Sequence, residues 1–392
     1  MEILLLTNVW TGATSFFYEG NVRSKGMPAF NNVFLRLLDD PRVSLVHIII
    51  WQPDQKINLP KEYSDKIKYY ILPKRAGGFV NGMKLIYETT LLGKKIVKQN
   101  PNISRIIGFG SLGGITSLIG KWVKIPDFRR IYGTFLINEI TDSKLSIFAK
   151  HPLEYLTFST KGKGLLVTND GTKGDLVFKK LGTSSLPFYF PINGVDKNII
   201  ENIEKPDFEI PDEYIIYVAR MDPWKRQNLL LEALGDLSKK GKKFPMTYIV
   251  GSAHDDEYVK SLHQIVEKHN LHNHVKFIYG LPIQQVHYMM YHANLTFSLY
   301  HTSNLGNVFI ESMQLGVPMI AINDTGSLDL IEKSAYFELK TDNVEKIAEA
   351  IDLLLTDEIK RQELKKEAIN FANKKLSSWE DRAKYEIDLM LN

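Results

Sequence analysis

Two basic side chains and a helix that starts at a glycine are the features of this chain best suited to bind an anion. Arg220 and Lys225 follow a strand-like apolar run and precede a helix-like run. Further along, Gly306 and Asn307 open a helix-like run that contains the carboxylate of Glu311. A helix N-terminus offers unpaired N–H groups and a partial positive charge, and a glycine lets an anion approach them. Two cations and such a helix start in one half of the chain predict a diphosphate site.

Each of these residues also has a purely structural explanation. Arg220 and Lys225 could form surface ion pairs with Asp222, which lies between them in the sequence. Glu311 could simply stabilise the positive end of its helix dipole. The apolar run around it could equally be an ordinary buried helix. Taken one at a time, these residues leave both explanations open.

Two further motifs are better explained without chemistry. The segment His254-Asp-Asp-Glu257 could hold a metal ion, but its position before a helix-like run favours a helix cap. The segment Gly110-Ser-Leu-Gly-Gly114 follows a strand-like run, yet it is too short for a dinucleotide-binding fingerprint. We interpret it as a packing turn.

Strand-like and helix-like segments alternate along the chain, which predicts an α/β fold of βαβ units with parallel sheets. Sites in such sheets lie beyond the carboxyl ends of the strands. An acidic, proline-containing stretch at 201–213 predicts a linker between two α/β halves, with a ligand cleft between them. The strand-like segments are 3–7, 45–51, 67–72, 105–108, 130–134, 165–168, 214–219, 246–250, 275–279, 295–299 and 319–322. The helix-like segments are 27–38, 81–98, 112–124, 144–155, 173–180, 226–240, 257–269, 284–292, 308–315, 344–356, 358–373 and the segment from 379.

Length and composition exclude several classes of protein. The 392 residues fit two ordinary domains better than one, and the hydrophobic share of 44% is typical of a globular protein. The chain has no cysteine, which excludes disulfides and thiolate metal sites and favours an intracellular location. Its apolar runs are shorter than the roughly 20 residues of a membrane span, and its first residues show no signal-peptide pattern.

Charge is distributed unevenly between the two halves. Residues 1–200 carry 27 basic and 15 acidic side chains, whereas residues 201–392 carry 22 and 30. A basic half favours an anionic partner, such as a membrane surface, a phosphorylated acceptor or nucleic acid, although drift in surface charge would look the same. The segment 74–98 interleaves lysines with apolar residues. That pattern predicts either a helix lying on an anionic bilayer or an ordinary surface helix with one core face.

Several short motifs in the second half occur in the order and spacing of one known family. The chain resembles the retaining GT-B glycosyltransferases of family 4, the glycosyl transferases group 1. In the first half the resemblance is only architectural. The motifs are Asn193-Gly-Val-Asp196, the pair Arg220 and Lys225, Gly280, the helix from Gly306 to Glu311 followed by Gly316-Val-Pro318, and Ser378-Trp379-Glu380.

The resemblance implies two Rossmann-like domains facing a cleft. The first, at 1–200, would bind the acceptor, and the second, at 208–376, would bind the nucleotide sugar. A C-terminal helix at 377–392, beginning near Trp379, would cross back and pack on the first domain. The resemblance also implies a donor of the UDP or GDP type, retention of the anomeric configuration, and neither a metal nor another cofactor.

The family's functional residues can be placed one by one. Arg220 and Lys225 match the pair that holds the donor diphosphate, and Glu311 matches the carboxylate that binds the ribose. Gly306 and Asn307 match backbone donors near phosphate and sugar. The base-binding turn corresponds to Gly280, Leu281 and Pro282. The sugar is expected to be surrounded by Ser303, Asn304, Gly306 and Asn307, and His301 and Leu305 are further candidates for substrate binding. On the acceptor side, the candidates are Gly12, Arg23, Lys25 and Thr134.

The chain departs from the family at three places, the first of which is the absence of a Gly-Gly pair after the first strand. The family has a second glutamate eight positions before the one at Glu311, and here that position is Ser303, or His301 if the loop is aligned from the preceding strand. The family's histidine after the fifth strand of the first domain is also missing, because Gly133-Thr134-Phe135 follows that strand. Sugar identity, stereochemistry and catalytic competence are therefore less well supported than nucleotide binding.

The sequence thus predicts a hexosyltransferase-type enzyme that moves a sugar from a nucleotide sugar to an acceptor glycan or lipid-linked saccharide. We expect it in the cytoplasm, with an anionic membrane surface as a further candidate partner and without nucleic acid. A catalytically degenerate relative that binds nucleotide or glycan as a partner subunit is the main alternative. A sugar-nucleotide epimerase or a phosphorylase of the same fold is a third.

Overall fold

A computed structural model of the chain describes residues 1–10, 13–22, 28–73, 79–323 and 326–392. These residues form two compact units. The first contains 1–169, 173–194 and 379–392, and the second contains 170–172 and 195–378, apart from the gaps just given. Each unit is built on one sheet in which every described strand pair is parallel.

The sheet of the first unit has seven strands in the order β3-β2-β1-β4-β5-β6-β7. Its strands are β1 Glu2–Asn8, β2 Leu45–Trp51, β3 Ile67–Leu72, β4 Ile103–Phe109, β5 Asp127–Ile131, β6 Gly164–Val167 and β7 Phe188–Tyr189. At the centre, Ile3 of β1 lies opposite Val46 on one side and Arg105 on the other. Five consecutive buried residues in β1 and β2 show that helices cover both faces of the sheet.

The sheet of the second unit has six strands in the order β10-β9-β8-β11-β12-β13. Its strands are β8 Tyr214–Val218, β9 Met246–Val250, β10 Val275–Ile278, β11 Leu295–Ser298, β12 Met319–Ile322 and β13 Phe337–Leu339. The order reverses between β8 and β11, which is the topological switch point of the sheet. Because all strands are parallel, the loops that follow them emerge at the same edge, where such sheets bind ligands.

Helices flank both sheets. In the first unit they are α1 Thr14–Phe17, α2 Pro28–Asp39, α3 Phe79–Gln99, α4 Gly113–Val123, α5 Lys144–Lys150, α6 Pro152–Ser159, α7 Gly174–Leu181 and α14 Trp379–Leu391. In the second unit they are α8 Gln227–Lys239, α9 Asp256–Lys268, α10 Ile283–Tyr291, α11 Asn307–Leu315, α12 Val344–Thr356 and α13 Glu358–Lys375. Among the described residues, none of these helices is long and apolar enough to cross a bilayer.

Helix α14 is part of the core of the first unit although it is the last element of the chain. Its buried residues Ala383, Ile387 and Met390 belong to the same apolar cluster as Phe30 and Phe34 of α2. Polar contacts add to this packing, because Arg382 Nε donates a hydrogen bond to the carbonyl of Ile192 at 2.8 Å.

The α/β fold class with two parallel sheets is confirmed, and the element predictions differ from the structure in three main respects. The strand predicted at 130–134 runs instead from Asp127 to Ile131, because Arg129 and Arg130 are buried within it and hydrogen-bonded to carboxylates. The helix predicted at 144–155 is two helices, since the residue before a proline disfavours the helical conformation and His151 precedes Pro152. The short elements α1, β7 and β13 were not predicted, because two to four residues carry little periodicity.

Candidate functional site

The two sequence motifs of the second half meet at the carboxyl edge of the second sheet. Strands β8 and β11 are parallel neighbours, so the loops after them start side by side. The N–H of His301 donates to the carbonyl of Trp224 at 2.9 Å, which joins the two loops directly. The hydroxyl of Tyr300 donates to the carbonyl of Val218 at 3.1 Å and closes the same corner.

Lys225 lies at the end of a single helical turn, Pro223–Lys225, and its ammonium is packed on aromatic rings. The Nζ atom is 3.7 Å from the ring centre of Tyr300 and 4.4 Å from that of Trp224. Burial lowers the pKa of Lys225 to about 8, against the opposing pull of Asp222 and Asp170, whose negative charges favour the ammonium. An anionic ligand beside this ammonium would stabilise the positive charge that burial disfavours.

Arg220 faces the buried carboxylate of Asp222. Its Nη2 atom lies 3.5 Å from Oδ2 of Asp222, so the ion pair considered as a structural explanation exists. Yet the Arg220 side chain is still 42% exposed, whereas the carboxylate side chain is 5% exposed. Burial raises the pKa of Asp222, while Arg220 and Lys225 act against that rise. Asp222 thus holds two cations together and leaves the guanidinium accessible.

The loop 301–306 is held from within by its own buried polar side chains. Asn304 is fully buried, and its Nδ2 donates to the carbonyl of Tyr300 at 3.0 Å. Leu305 is buried beside it, and Gly306 takes the N-cap position of α11. His301, in contrast, is exposed, and its Nδ1 lies 2.5 Å from Nη2 of Arg226. This packing fixes the N-terminus of α11, at Asn307, at the end of the loop that follows Tyr300, whose ring contacts Lys225.

Glu311 lies in the second turn of α11 and has a partner that the sequence did not suggest. Its Oε2 atom is 3.5 Å from Nε2 of His287 on α10, and both side chains are largely buried. Glu311 also acts on the buried hydroxyl of Tyr300, since its charge contributes to the raised pKa of that group. The helix dipole alone therefore does not account for Glu311. Its carboxylate contacts His287 and acts on the hydroxyl of Tyr300, whose ring in turn contacts Lys225.

The turn Gly280-Leu281-Pro282 follows β10 at the carboxyl edge of the same sheet, two strands away from β8. Gly280 has a φ of +77°, and Pro282 takes the N-cap position of α10. The structure brings together Arg220, Lys225, the loop 301–306 and the first turns of α11, and it places the turn 280–282 on the same edge of the sheet.

On the acceptor side, Gly12, Arg23 and Lys25 lie outside the described residues. Thr134 is described, and it is buried in the first unit. Its hydroxyl donates to Oε1 of Glu154 at 2.5 Å and accepts from the N–H of Leu136 at 3.1 Å. Burial raises the pKa of Glu154, and the hydrogen bond from Thr134 opposes that rise.

Glu154 also lines a cavity of about 540 Å³ in the first unit. The walls are mostly apolar, and they come from the end of β2, the first turns of α3 and the junction between α5 and α6. The lining residues are Trp51, Gly82, Met83, Ile86, Ser111, Ala149, Lys150, His151, Pro152, Leu153 and Glu154. An apolar cavity with a few fixed polar groups is the usual form of a small-ligand site.

Other residues of the site were missed from the sequence. Asp170 and His287 are far from the motifs along the chain, and no spacing rule connects them to Ser303 or Glu311. Tyr300 could have been found, because it directly follows a strand next to His301. The segment 254–257 does cap a helix as predicted, since Asp255 accepts a hydrogen bond from the N–H of Tyr258. Within the described part of the chain, no group of three or more acidic or histidine side chains could hold a metal ion.

Comparison with known proteins matches this architecture to one fold. Residues 198–371 match the family model described as glycosyl transferases group 1, which spans nearly the whole second unit. HepE of Anabaena, solved in complex with UDP and glucose, aligns over 99% of both chains with a TM-score of 0.68 at 16% identity. The chain has the GT-B glycosyltransferase fold.

Two further solved structures support the GT-B fold. Sucrose-phosphate synthase of Thermosynechococcus elongatus aligns with a TM-score of 0.69 at 15% identity, covering 99% of this chain and 98% of its own. WaaG, a glycosyltransferase involved in lipopolysaccharide biosynthesis, covers 100% of both chains with a TM-score of 0.67 at 15% identity. No curated protein matches the chain in sequence. The predicted resemblance to GT-B glycosyltransferases of group 1 is confirmed, whereas the assignment to family 4 and retention stay predictions.

Proposed function

We propose that this GT-B protein transfers a hexose-like sugar from a nucleoside diphosphate sugar to an acceptor, with retention of the anomeric configuration. The observation that carries the proposal is the position of Arg220 and Lys225, which lie beside the loop that starts α11. Two cations and a helix N-terminus suit a diphosphate, whose negative charge grows as the sugar departs. A donor of the UDP type is supported by HepE, which was solved with UDP-glucose.

The roles of the remaining residues follow from the same placement. Arg220 and Lys225 would stabilise the leaving diphosphate by charge-assisted hydrogen bonds, so that no metal ion is needed. Glu311 would accept hydrogen bonds from the ribose hydroxyls. The turn at Gly280 would contact the base, and the loop 301–307 would surround the sugar. In a retaining transfer, the leaving phosphate would help to deprotonate the acceptor hydroxyl.

For the acceptor, we propose a saccharide that is lipid-linked or anionic and that is reached from a membrane surface. The first unit is the basic half of the chain, and its helix α3 carries an exposed apolar stripe at intervals of three and four residues. This stripe consists of Val80, Met83, Tyr87 and Leu91. Met83 also lines the 540 Å³ cavity, so an acceptor head group in the cavity would sit next to the stripe. The protein would then act as a peripheral enzyme on the cytoplasmic face.

Calorimetric titration with UDP, GDP, ADP and their hexose conjugates tests the donor assignment. We expect one nucleotide to bind selectively, and Arg220→Ala to reduce turnover roughly 10²- to 10³-fold, the usual effect of losing one preorganised donor. Lys239→Ala, which removes an exposed cation on α8, serves as the matched control. It should change neither the affinity for the nucleotide nor the turnover. Unchanged turnover in Arg220→Ala would contradict the assignment.

A catalytically degenerate protein that binds a nucleotide or glycan remains the second candidate. The observation in its favour is Ser303, which stands where the resemblance requires a glutamate. Such a protein would bind the selected nucleotide but would turn over no donor, even with a crude acceptor extract. Release of free nucleotide diphosphate upon addition of acceptor would exclude it.

A further inference from the structure

A buried loop that is distant in the sequence from both motifs places the carboxylate of Asp170 beside the proposed donor site. Residues 170–172 follow a strand of the first unit, yet their contacts assign them to the second unit. The hydroxyl of Ser303 donates to Oδ2 of Asp170 at 3.1 Å, and the N–H of Leu305 donates to the carbonyl of Asp170 at 3.1 Å. Asp170 is thereby joined to the loop that leads into α11.

The approach of this loop is too close for any side chain at Gly171. A Cβ atom there would lie 2.9 Å from the backbone nitrogen of Asn304 and 3.1 Å from that of Leu305. The φ of Gly171 is +94°, which other residues rarely adopt. The contact between the two loops therefore depends on a glycine, and it positions the neighbouring carboxylate within narrow limits.

The carboxylate of Asp170 is oriented and still has acceptor capacity. Its Oδ1 atom accepts hydrogen bonds from the N–H and the hydroxyl of Thr172, at 3.1 and 2.6 Å. Its Oδ2 atom accepts the hydrogen bond from Ser303. A carboxylate has about four acceptor positions, so a ligand hydroxyl can still bind at Oδ2. Asp170 also interacts electrostatically with Lys225, whose ammonium it favours.

We infer that Asp170 is the carboxylate that accepts hydrogen bonds from hydroxyl groups of the transferred sugar. The inference rests on the proposed function, which puts the diphosphate between Lys225 and the start of α11. A sugar attached to that diphosphate must lie against the loop around Ser303, which Asp170 contacts. The carboxylate missing at position 303 is thus supplied from a distant segment of the chain.

The inference also defines the class of sugar. A carboxylate next to the sugar favours a neutral hexose with free hydroxyl groups, because hydrogen bonds to a charged acceptor are strong. A sugar that carries its own carboxylate or phosphate near Asp170 would be repelled by the like charge. We therefore expect a neutral hexosyl donor rather than a uronic acid donor.

The inference is tested by measuring the binding of UDP and UDP-glucose to the wild type and to Asp170→Asn. If the calorimetric titration of the wild type shows selectivity for GDP, then GDP and a GDP-hexose replace these ligands. We expect Asp170→Asn to bind the free diphosphate within threefold of the wild type. The additional affinity that the hexose provides should fall about 10- to 100-fold, as expected for a hydrogen bond to a charged group. Asp175→Asn, which alters an exposed carboxylate on α7, is the matched control and should change neither affinity.

Thr172→Val separates positioning of the sugar from stability of the loop, because it removes one loop hydrogen bond and retains the carboxylate. It should reduce the hexose contribution less than Asp170→Asn does. An equal loss of affinity for the free diphosphate and the hexose conjugate in Asp170→Asn would overturn the inference, as would no loss in either. Both of those results leave the proposed function intact. If the wild type binds no nucleotide diphosphate at all, the proposed function fails, and the inference fails with it.

Discussion

Lys225 combines a lowered pKa with a position over the rings of Tyr300 and Trp224. The rings attract the ammonium, but they also exclude water, and the loss of water is the larger influence on its pKa. Asp222 and Asp170 offset only part of that effect. In the free protein Lys225 is therefore still mostly protonated at neutral pH, and an anionic ligand would further stabilise its positive charge.

This arrangement predicts a pH dependence of donor binding. Lys225 loses its proton above a pKa of about 8, so the affinity for UDP should fall as the pH rises from 8 to 10. A bound diphosphate raises the pKa again, so binding near pH 8.5 should take up a fraction of a proton. Calorimetry in two buffers with different ionisation enthalpies measures this uptake.

Lys225→Arg is the control, because its guanidinium stays charged throughout this range. The variant should show a flat affinity between pH 8 and 10 and no proton uptake. An identical pH profile in the wild type and the arginine variant would contradict the prediction. The same group affects stability with a defined sign: the unfolded chain binds more protons between pH 8 and 10.5, so its contribution rises with pH there.

At the scale of elements, the two ends of α11 have different structural roles. Its N-terminus lies in the proposed anion site, and its C-terminus ends in a tight turn. The N–H of Gly316 donates to the carbonyl of Met313, and the N–H of Val317 donates to that of Ser312, which together form a Schellman motif. The φ of Gly316 is +70°, and Pro318 then leads into β12. The fixed end of α11 sets the length and position of the helix that carries Glu311.

Gly316→Ala should destabilise the second unit by about 2–4 kcal/mol, the sum of left-handed backbone strain and overpacking. The added Cβ would lie 2.6 Å from Cδ1 of Ile369 on α13. Gly241→Ala isolates the backbone contribution, because Gly241 has a φ of +68° with nothing within 4 Å of the added atom. We expect the control to cost only about 1–2 kcal/mol. Guanidinium unfolding measures both, and equal losses would show that the contact with α13 does not matter.

At the scale of the whole molecule, the last helix is joined to the first sheet by a buried ionic cluster. Oε2 and Oε1 of Glu386 accept hydrogen bonds from Arg130 at 3.0 and 3.1 Å, and Arg382 pairs with the same carboxylate. The guanidinium of Arg130 also stacks on Tyr132 at 3.6 Å. Burial lowers the pKa of Arg382 to about 10, and the negative charge of Glu386 opposes that decrease.

Glu386→Ala should destabilise the first unit by roughly 3–5 kcal/mol, because it leaves two buried cations without their counter-ion. Chemical denaturation followed by tryptophan fluorescence measures the loss. Lys384→Ala, an exposed residue on the same helix, should change stability by no more than about 0.5 kcal/mol. Similar behaviour of the two variants would show that α14 is held by apolar packing alone.

Charge and exposed apolar surface also belong to this scale. If the first unit docks on anionic lipid, sedimentation with phosphatidylglycerol vesicles should be strong in low salt and weak above roughly 0.3 M salt, because screening shortens the reach of the lysines. The double variant Met83→Asp with Tyr87→Asp should abolish it, whereas Ile359→Asp, at an exposed apolar residue of the second unit, should not. No sedimentation of the wild type at low salt would remove the membrane proposal.

Three features could be predicted from the sequence: the alternation of elements, the parallel sheets, and the position of Arg220 and Lys225 after a strand and of Glu311 in a helix. These features follow from hydrophobic periodicity and from glycine and proline at element boundaries, which are local properties of the chain. The boundaries of β5 could not be predicted, because Arg129 and Arg130 appear too polar for a buried strand until their partners are known.

The contacts between side chains that are distant in the sequence, in contrast, depend on the folded structure. Tyr300 lies beneath Lys225, Asp170 contacts Ser303 and Glu386 neutralises Arg130, although each pair is separated by 75 or more positions in the sequence. Periodicity shows which face of an element is buried, but it does not show which distant side chain that face will contact. That choice depends on strand order and on the packing of whole elements, and for this reason the contact between Asp170 and Ser303 could not be predicted from the sequence.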